Sequence, residues 1–179
     1  MKRISFIKFT VIFIAAFCSA NSIIASAEDA QKILTKQEIE NKFNLPPEPD
    51  EKLNNATILG IDSNNNSIRD DLERKIAFAY PTNEYARKLF TRQAKIWTDM
   101  VNNQDDIPKL KSLVRETWIM LECTDEFDNT PEMETFYDEI YRNIYERAKL
   151  YNELKRKAKY YNKIMDQSVI DTYCSKFKK

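Results

Sequence analysis

A single glycine in 179 residues leaves this chain almost none of the backbone freedom that tight phosphate-binding turns require. GxGxxG and GxxxxGK[ST] loops each need more than one glycine, so the standard nucleotide cradles are excluded. Histidine is absent altogether. Its absence removes the Ser-His-Asp triad, the Cys-His pair, the HExxH zinc helix and the one side chain that naturally titrates between about pH 5 and 8. With 42% hydrophobic and 31% charged residues, the chain has the balance expected of one domain of ordinary size.

The first residues read as a secretory signal. Met1, Lys2, Arg3 and Lys8 form a basic start, and Phe9 to Cys18 is an apolar run far shorter than the roughly 20 residues a bilayer span needs. Ala25-Ser26-Ala27 offers a small-residue cleavage site, with cleavage after Ala20 as the alternative, so residues 1–27 are expected to be a signal peptide and the mature chain to begin at Glu28. Cleavage removes three bases and no acid, leaving 25 basic against 28 acidic side chains. That balance gives the domain no pull toward nucleic acid or an anionic membrane, and no membrane span is expected in the mature chain. The expected location is periplasmic or secreted. Cys123 and Cys174 then remain as one pair in an oxidising compartment, closing a loop of about 51 residues for which chain entropy predicts about 4 kcal/mol.

Apolar periodicity predicts an all-α fold, a helical bundle with one long helix. A modest helix is expected from Ala30 to Phe43, with Thr35-Lys36-Gln37-Glu38 as a capping box inside it. Leu45-Pro46-Pro47-Glu48-Pro49 stops it, and residues 28–57 are read as an N-terminal helix and Pro-rich arm before a helical domain at 58–179. Ala56 to Ile61 is open to reading as a strand or an anchored loop. Beyond it Ile68, Leu72, Ile76 and Ala79 share one helical face. The next helix, from about Asn83 to Asn103, puts Tyr85, Leu89, Gln93, Ile96, Trp97, Met100 and Val101 on one side. Asp105 or Asp106 caps a third, with Ile107, Leu110, Val114, Trp118 and Leu121 inward. From Thr130-Pro131 to about Ile164 neither glycine nor proline interrupts the chain, which predicts one helix roughly 50 Å long. A last short helix runs from about Ser168 to Phe177.

The stretch with the most chemistry is Asp62-Ser63-Asn64-Asn65-Asn66-Ser67-Ile68-Arg69-Asp70-Asp71-Leu72-Glu73. Against D-x-[DN]-x-[DN]-G-x5-E it supplies oxygen ligands at positions 1, 3, 5, 9 and 12 and lacks only the glycine. Ca2+ is a hard cation that takes six to eight oxygens at about 2.3–2.6 Å. Asp62, Asn64 and Asn66 offer alternate side-chain oxygens, Ile68 its backbone carbonyl, Asp70 an oxygen direct or through water, and Glu73 a bidentate clamp.

From Gly60 to Arg74 the chain resembles the calcium loops of the EF-hand and dockerin-like class, including the single DxNxN-type loops of exported bacterial proteins. The resemblance implies Ca2+ as cofactor and no more of the fold than this loop and its exiting helix. Ser67 stands where the class has glycine, which implies either a strain of roughly 1 kcal/mol or a variant turn. The entering segment is rich in proline and asparagine, which argues for a loop-helix in place of a paired sensor. With Asp62, Asp70 and Glu73 as the only formal charges, the expected affinity falls in the weak extracellular range, about 10⁻⁴ to 10⁻³ M.

Without histidine, acid-base catalysis would rest on carboxylates, as in a cell-wall glycan hydrolase. Glu116, Glu122, Asp125, Glu126 and Asp128 are the nearest thing to such a cluster. Tyr137, Tyr141 and Tyr145 recur every four residues, as a core stripe or a partner-binding face, with Tyr160-Tyr161 beyond. Lys155-Arg156-Lys157-Lys159 and Lys176-Phe177-Lys178-Lys179 are basic runs that read as solvated or as anion contacts. No catalytic residue is singled out. The expected function is an exported calcium-binding helical protein that binds or inhibits a protein or envelope component, with a carboxylate hydrolase or a structural envelope protein as alternatives.

Overall fold

Eight helices and no strand are found among the described residues, which are 34–124, 131–159 and 165–178 of the computed structural model. The signal reading at 1–27, the Thr130 helix start, the acids Asp125, Glu126 and Asp128, and Tyr160-Tyr161 lie outside the described residues. The helices are α1 (Lys36–Phe43), α2 (Glu51–Asn54), α3 (Asp70–Ala79), α4 (Glu84–Asn102), α5 (Ile107–Thr124), α6 (Pro131–Tyr141), α7 (Tyr145–Lys157) and α8 (Gln167–Cys174). Side chains are described for all of them except at 131–135.

Among the described residues the first helix begins at its capping box, and the expected start at Ala30 lies outside them. Thr35 accepts from Glu38 N, and the Glu38 carboxylate accepts from Thr35 N at 2.9 Å, so two otherwise unpaired amides are satisfied where the helix starts. Asn44, left-handed at φ 48°, ends it. The proline-rich arm then runs to α2, a single turn capped by Asp50, which accepts from Leu53 N at 2.9 Å. Arg74 of α3 holds the arm down. It is 6% exposed, donates to the Pro46 carbonyl at 2.7 Å and pairs with Glu40 of α1.

Ala56–Ile61 is a run of turns, with only Ile58 packed against the core. In α3 the expected stripe holds at Ile68, Leu72 and Ile76, but Ala77 is buried in place of Ala79, which is exposed. The face of α4 is as expected, with Leu89, Gln93, Ile96, Trp97 and Met100 buried and Tyr85 and Val101 at its margin. On α5 the inward face is rotated. Leu110, Leu113, Val114, Thr117 and Met120 are buried, Trp118 and Leu121 lie at the boundary, and Ile107 is exposed. The cause is the number of neighbours: α5 packs on α4, α7 and α8 together and needs a wider apolar face than a single stripe supplies.

The expected long helix is two. Residues 142–144 break it, with Ile144 extended at φ −130°, ψ 156°, and α7 starts afresh at Tyr145. Tyr141 and Tyr151 show why. In one straight helix they would sit about 15 Å apart along the axis, yet their rings stack with centroids 4.6 Å apart. Tyr137 also reaches Tyr151, at 5.9 Å, and Trp97 of α4 meets Tyr141 edge-on at 5.8 Å. The break folds the aromatic stripe onto itself, and burial of rings of roughly 150–250 Å² each outweighs the few helical hydrogen bonds lost. Cys123 at the end of α5 and Cys174 at the end of α8 are joined as a disulfide, Cα to Cα 5.4 Å. Arg92 of α4 adds a second tie by meeting Glu116 of α5 through two bonds of 2.8 Å, and Tyr173 of α8 donates to the same carboxylate.

Candidate functional site

The loop at 62–73 closes on its own side chains. Asp62 accepts from Asn66 N at 3.0 Å through one oxygen and from Ser67 N at 2.8 Å through the other. Asn64 Oδ1 accepts from Asn66 N at 3.2 Å, and Asn66 Oδ1 from Ile68 N at 2.8 Å. Both carboxamides then donate to one oxygen of Glu73, at 3.0 Å from Asn64 and 2.9 Å from Asn66. Asp62, Asn64, Asn66 and Glu73 are thereby brought together around one mouth. Asp70 is placed differently. It is 1% exposed, accepts from Ser63 N at 3.0 Å, and its own N–H donates to the Ile61 carbonyl at 2.8 Å, so it fastens the base of the loop.

Ser67 resolves the question left by the missing glycine. It takes the left-handed conformation at φ 68°, as does Asn65 at φ 56°, so the glycine-type turn is kept and the strain accepted. The Ser67 N–H bond to Asp62 is what offsets it. Gly60 carries the same handedness at φ 69°, and a Cβ built there would meet Arg69 Cδ at 2.3 Å. The lone glycine is thus required where the chain passes against the buried stem of Arg69. Ile68 anchors the loop by burying its side chain in the core at 4% exposure, while α3 places Asp70, Asp71 and Glu73 in its first turn, where the helix dipole favours negative charge.

The side chains are ones a hard cation accepts: two carboxylates and two carboxamides, with no sulfur or imidazole among them. Among the described residues no three His, Cys, Asp or Glu side chains gather as a metal cluster. Among the described residues the carboxylates in the bonds at the mouth are Asp62 and Glu73, and the two amides turn their NH2 groups to Glu73.

Beside this loop lies a feature the motif does not include. Arg147, in the first turn of α7, is fully buried and uses all five of its N–H groups. Nε donates to Ile58 O at 2.9 Å, one terminal nitrogen to Asn55 Oδ1 and Asn143 Oδ1 at 2.9 Å each, and the other to Asn54 O at 2.9 Å and Thr57 O at 3.1 Å. Every one of these acceptors is a neutral oxygen. Burial, with the nearby Arg69 charge, lowers the guanidinium pKa to about 10, which still leaves it charged at neutral pH. A sequence signal existed: Arg147, Tyr151, Leu154 and Ala158 fall on one buried helical row, and an arginine inside such a row is a buried cation. Arg69 is buried too, bonded to Asp71 and to the Glu139 carbonyl at 2.9 Å.

The remaining candidates resolve into packing and surface. Burial alone would raise the Glu116 carboxyl, but hydrogen bonds from Arg92 and Tyr173 overcome it and hold it below the usual range. Asp71, Glu84 and Asp166 are likewise shifted downward. A general acid for glycan cleavage requires the opposite shift. Glu122 is exposed. Tyr137 and Tyr141 belong to the core, whereas Tyr145, past the helix break, is 75% exposed. In the basic run Lys157 pairs with Asp105 at 3.2 Å, Lys155 lies 4.3 Å over the Tyr151 ring, and Arg156 and Lys159 are exposed. No described helix is long and apolar enough to cross a membrane. Comparison with known proteins finds no matching family model, no matching curated protein and no matching solved structure.

Proposed function

We propose that this chain is an exported calcium-binding helical module that acts by binding another macromolecule, a protein or envelope component, in the periplasm or outside the cell. The observation that carries the metal reading is the convergence of Asp62, Asn64, Asn66 and Glu73 on one mouth, with Ser67 held in the left-handed turn the loop requires. Ca2+ would be held by Asp62, Asn64, Asn66 and Glu73, with the Ile68 carbonyl as a further ligand and Asp70 fastening the base behind them, and the ion would meet the Glu73 carboxylate where the two carboxamide NH2 groups now donate to it. The ion's work is structural. The Cys123–Cys174 disulfide fits an oxidising compartment, and exposed Tyr145 and Leu53, at 75% and 63%, suit a binding surface.

The test is calorimetric melting of the chelator-treated protein against calcium. Melting should rise with calcium through the millimolar range, by about 1–2 kcal/mol of stabilisation at ten times the dissociation constant, and Asp62→Ala, Glu73→Ala should abolish the rise. An unchanged melting temperature at 10 mM calcium, or an equal rise in the double variant, overturns the metal assignment.

A further inference from the structure

We propose that cation binding at the 62–73 loop sets how firmly the 54–58 turn closes on Arg147, and so how firmly the joint between α6 and α7 is held. This inference rests on the calcium reading above and extends it from the loop to the neighbouring joint.

The route is a short series of bonds through one residue. Ile61 donates its N–H to Asn54 Oδ1 at 2.9 Å and accepts from Asp70 N at 2.8 Å, so it is fixed from both sides. On one side Asp70 closes the base of the cation loop through Ser63 N. On the other, Asn54 is 3% exposed and gives its backbone carbonyl to Arg147 at 2.9 Å. Gly60, between them, rests on the Arg69 side chain, and Arg69 donates to the Glu139 carbonyl of α6. The turn and the loop therefore share one backbone segment whose register is set at both ends.

The joint depends on this register more than a packed helix pair would. Among the described residues Arg147 makes no ion pair, and four of its five bonds come from residues 54–58. The fifth goes to Asn143, inside the helix break itself. When the turn slips, a buried charge loses its acceptors and the break loses its fastening, a cost the fold avoids only while the turn stays closed. A cation that tightens the 62–73 loop favours the closed turn, and by linkage a closed turn favours the cation.

Hydrogen exchange of the full protein in calcium and in chelator reads both ends at once. Saturating calcium should slow amide exchange about fivefold or more at 62–73 and also at 54–61 and 142–148. Asn143→Ala, which removes one acceptor and leaves the guanidinium in place, should weaken calcium binding severalfold, and Arg147→Lys, where it folds, by about tenfold. Protection confined to 62–73, or unchanged calcium affinity in Asn143→Ala, overturns the coupling and leaves the metal reading standing. Protection nowhere removes the metal reading and the coupling with it.

Discussion

Two adjacent stretches of one segment handle positive charge in opposite ways. Residues 54–58 wrap a guanidinium supplied by the chain itself, and every donor of Arg147 is met by a neutral oxygen. Residues 62–73 gather carboxylates and amides round a mouth where backbone N–H and carboxamide groups provide the donors. The first is saturated and buried, and the second is polar and largely exposed, with Ser63, Asn64, Asn65 and Ser67 in solvent. Their difference teaches that a turn rich in oxygens is not by itself an ion site. What decides is whether the fold has already sent a cation into it.

The comparison breaks first at Arg147. Its replacement by methionine should cost about 3 kcal/mol or more, because five buried acceptors lose their donors at about 1–3 kcal/mol for each that water does not reach, measured by urea unfolding. A loss under 1 kcal/mol would mean the turn is held by something else. Gly60→Ala comes next, at about 2–3 kcal/mol, because φ 69° and the buried Arg69 stem both oppose a Cβ. If the two stretches are joined through Gly60, this variant should also blunt the calcium response. Cys174→Ser serves as the control that touches neither stretch. It should cost about 2–4 kcal/mol and leave the calcium-induced shift unchanged.

Ser67→Gly sharpens the comparison from the other side. It should stabilise the protein by about 1 kcal/mol, seen as a rise in melting temperature of a few degrees. Because Ser67 already holds the left-handed turn without an ion, the gain applies to both states and calcium affinity should not change. A tightened affinity would show that the ion-free loop is open.

The smallest effect concerns acid. Glu116 meets Arg92 with a carboxylate, and its folded pKa lies below its unfolded value of about 4.3. Stability from this pair is therefore complete above about pH 4.3 and is lost as pH falls through the folded pKa. Arg147, held by neutral oxygens, stays charged throughout that window. Glu116→Gln should flatten the acid limb of a stability profile, and Asn143→Ala should lower the whole profile without changing its shape.

Much of the helical order was legible because it is carried by local signals. The Thr35 to Glu38 box and the α4 stripe each depend on residues within a few positions of one another. The helix break at 142–144 was not legible for the same reason. No glycine or proline marks it, and its cause is the stacking of Tyr141 on Tyr151 and the reach of Arg147 to a turn about 90 positions away. The loop residues could be named from spacing, and the structure joins Asn64 and Asn66 to Glu73 and closes Asp62 on the Asn66 amide. The role of Asp70 as a fastener was hidden because it depends on Ile61 and Ser63, which carry no motif signal.

The Arg147 contacts also fix an order of events in time. Ile58 and Arg147 are 89 residues apart, so in any chain made from its N-terminus the turn emerges long before its guanidinium. At about 5–20 residues per second that gap is roughly 5–20 s, during which the carbonyls of 54–58 are hydrated and the segment has no register. The last turn of synthesis to matter for the 54–58 turn is thus the first turn of α7, and refolding from denaturant should show that turn acquiring protection only together with it.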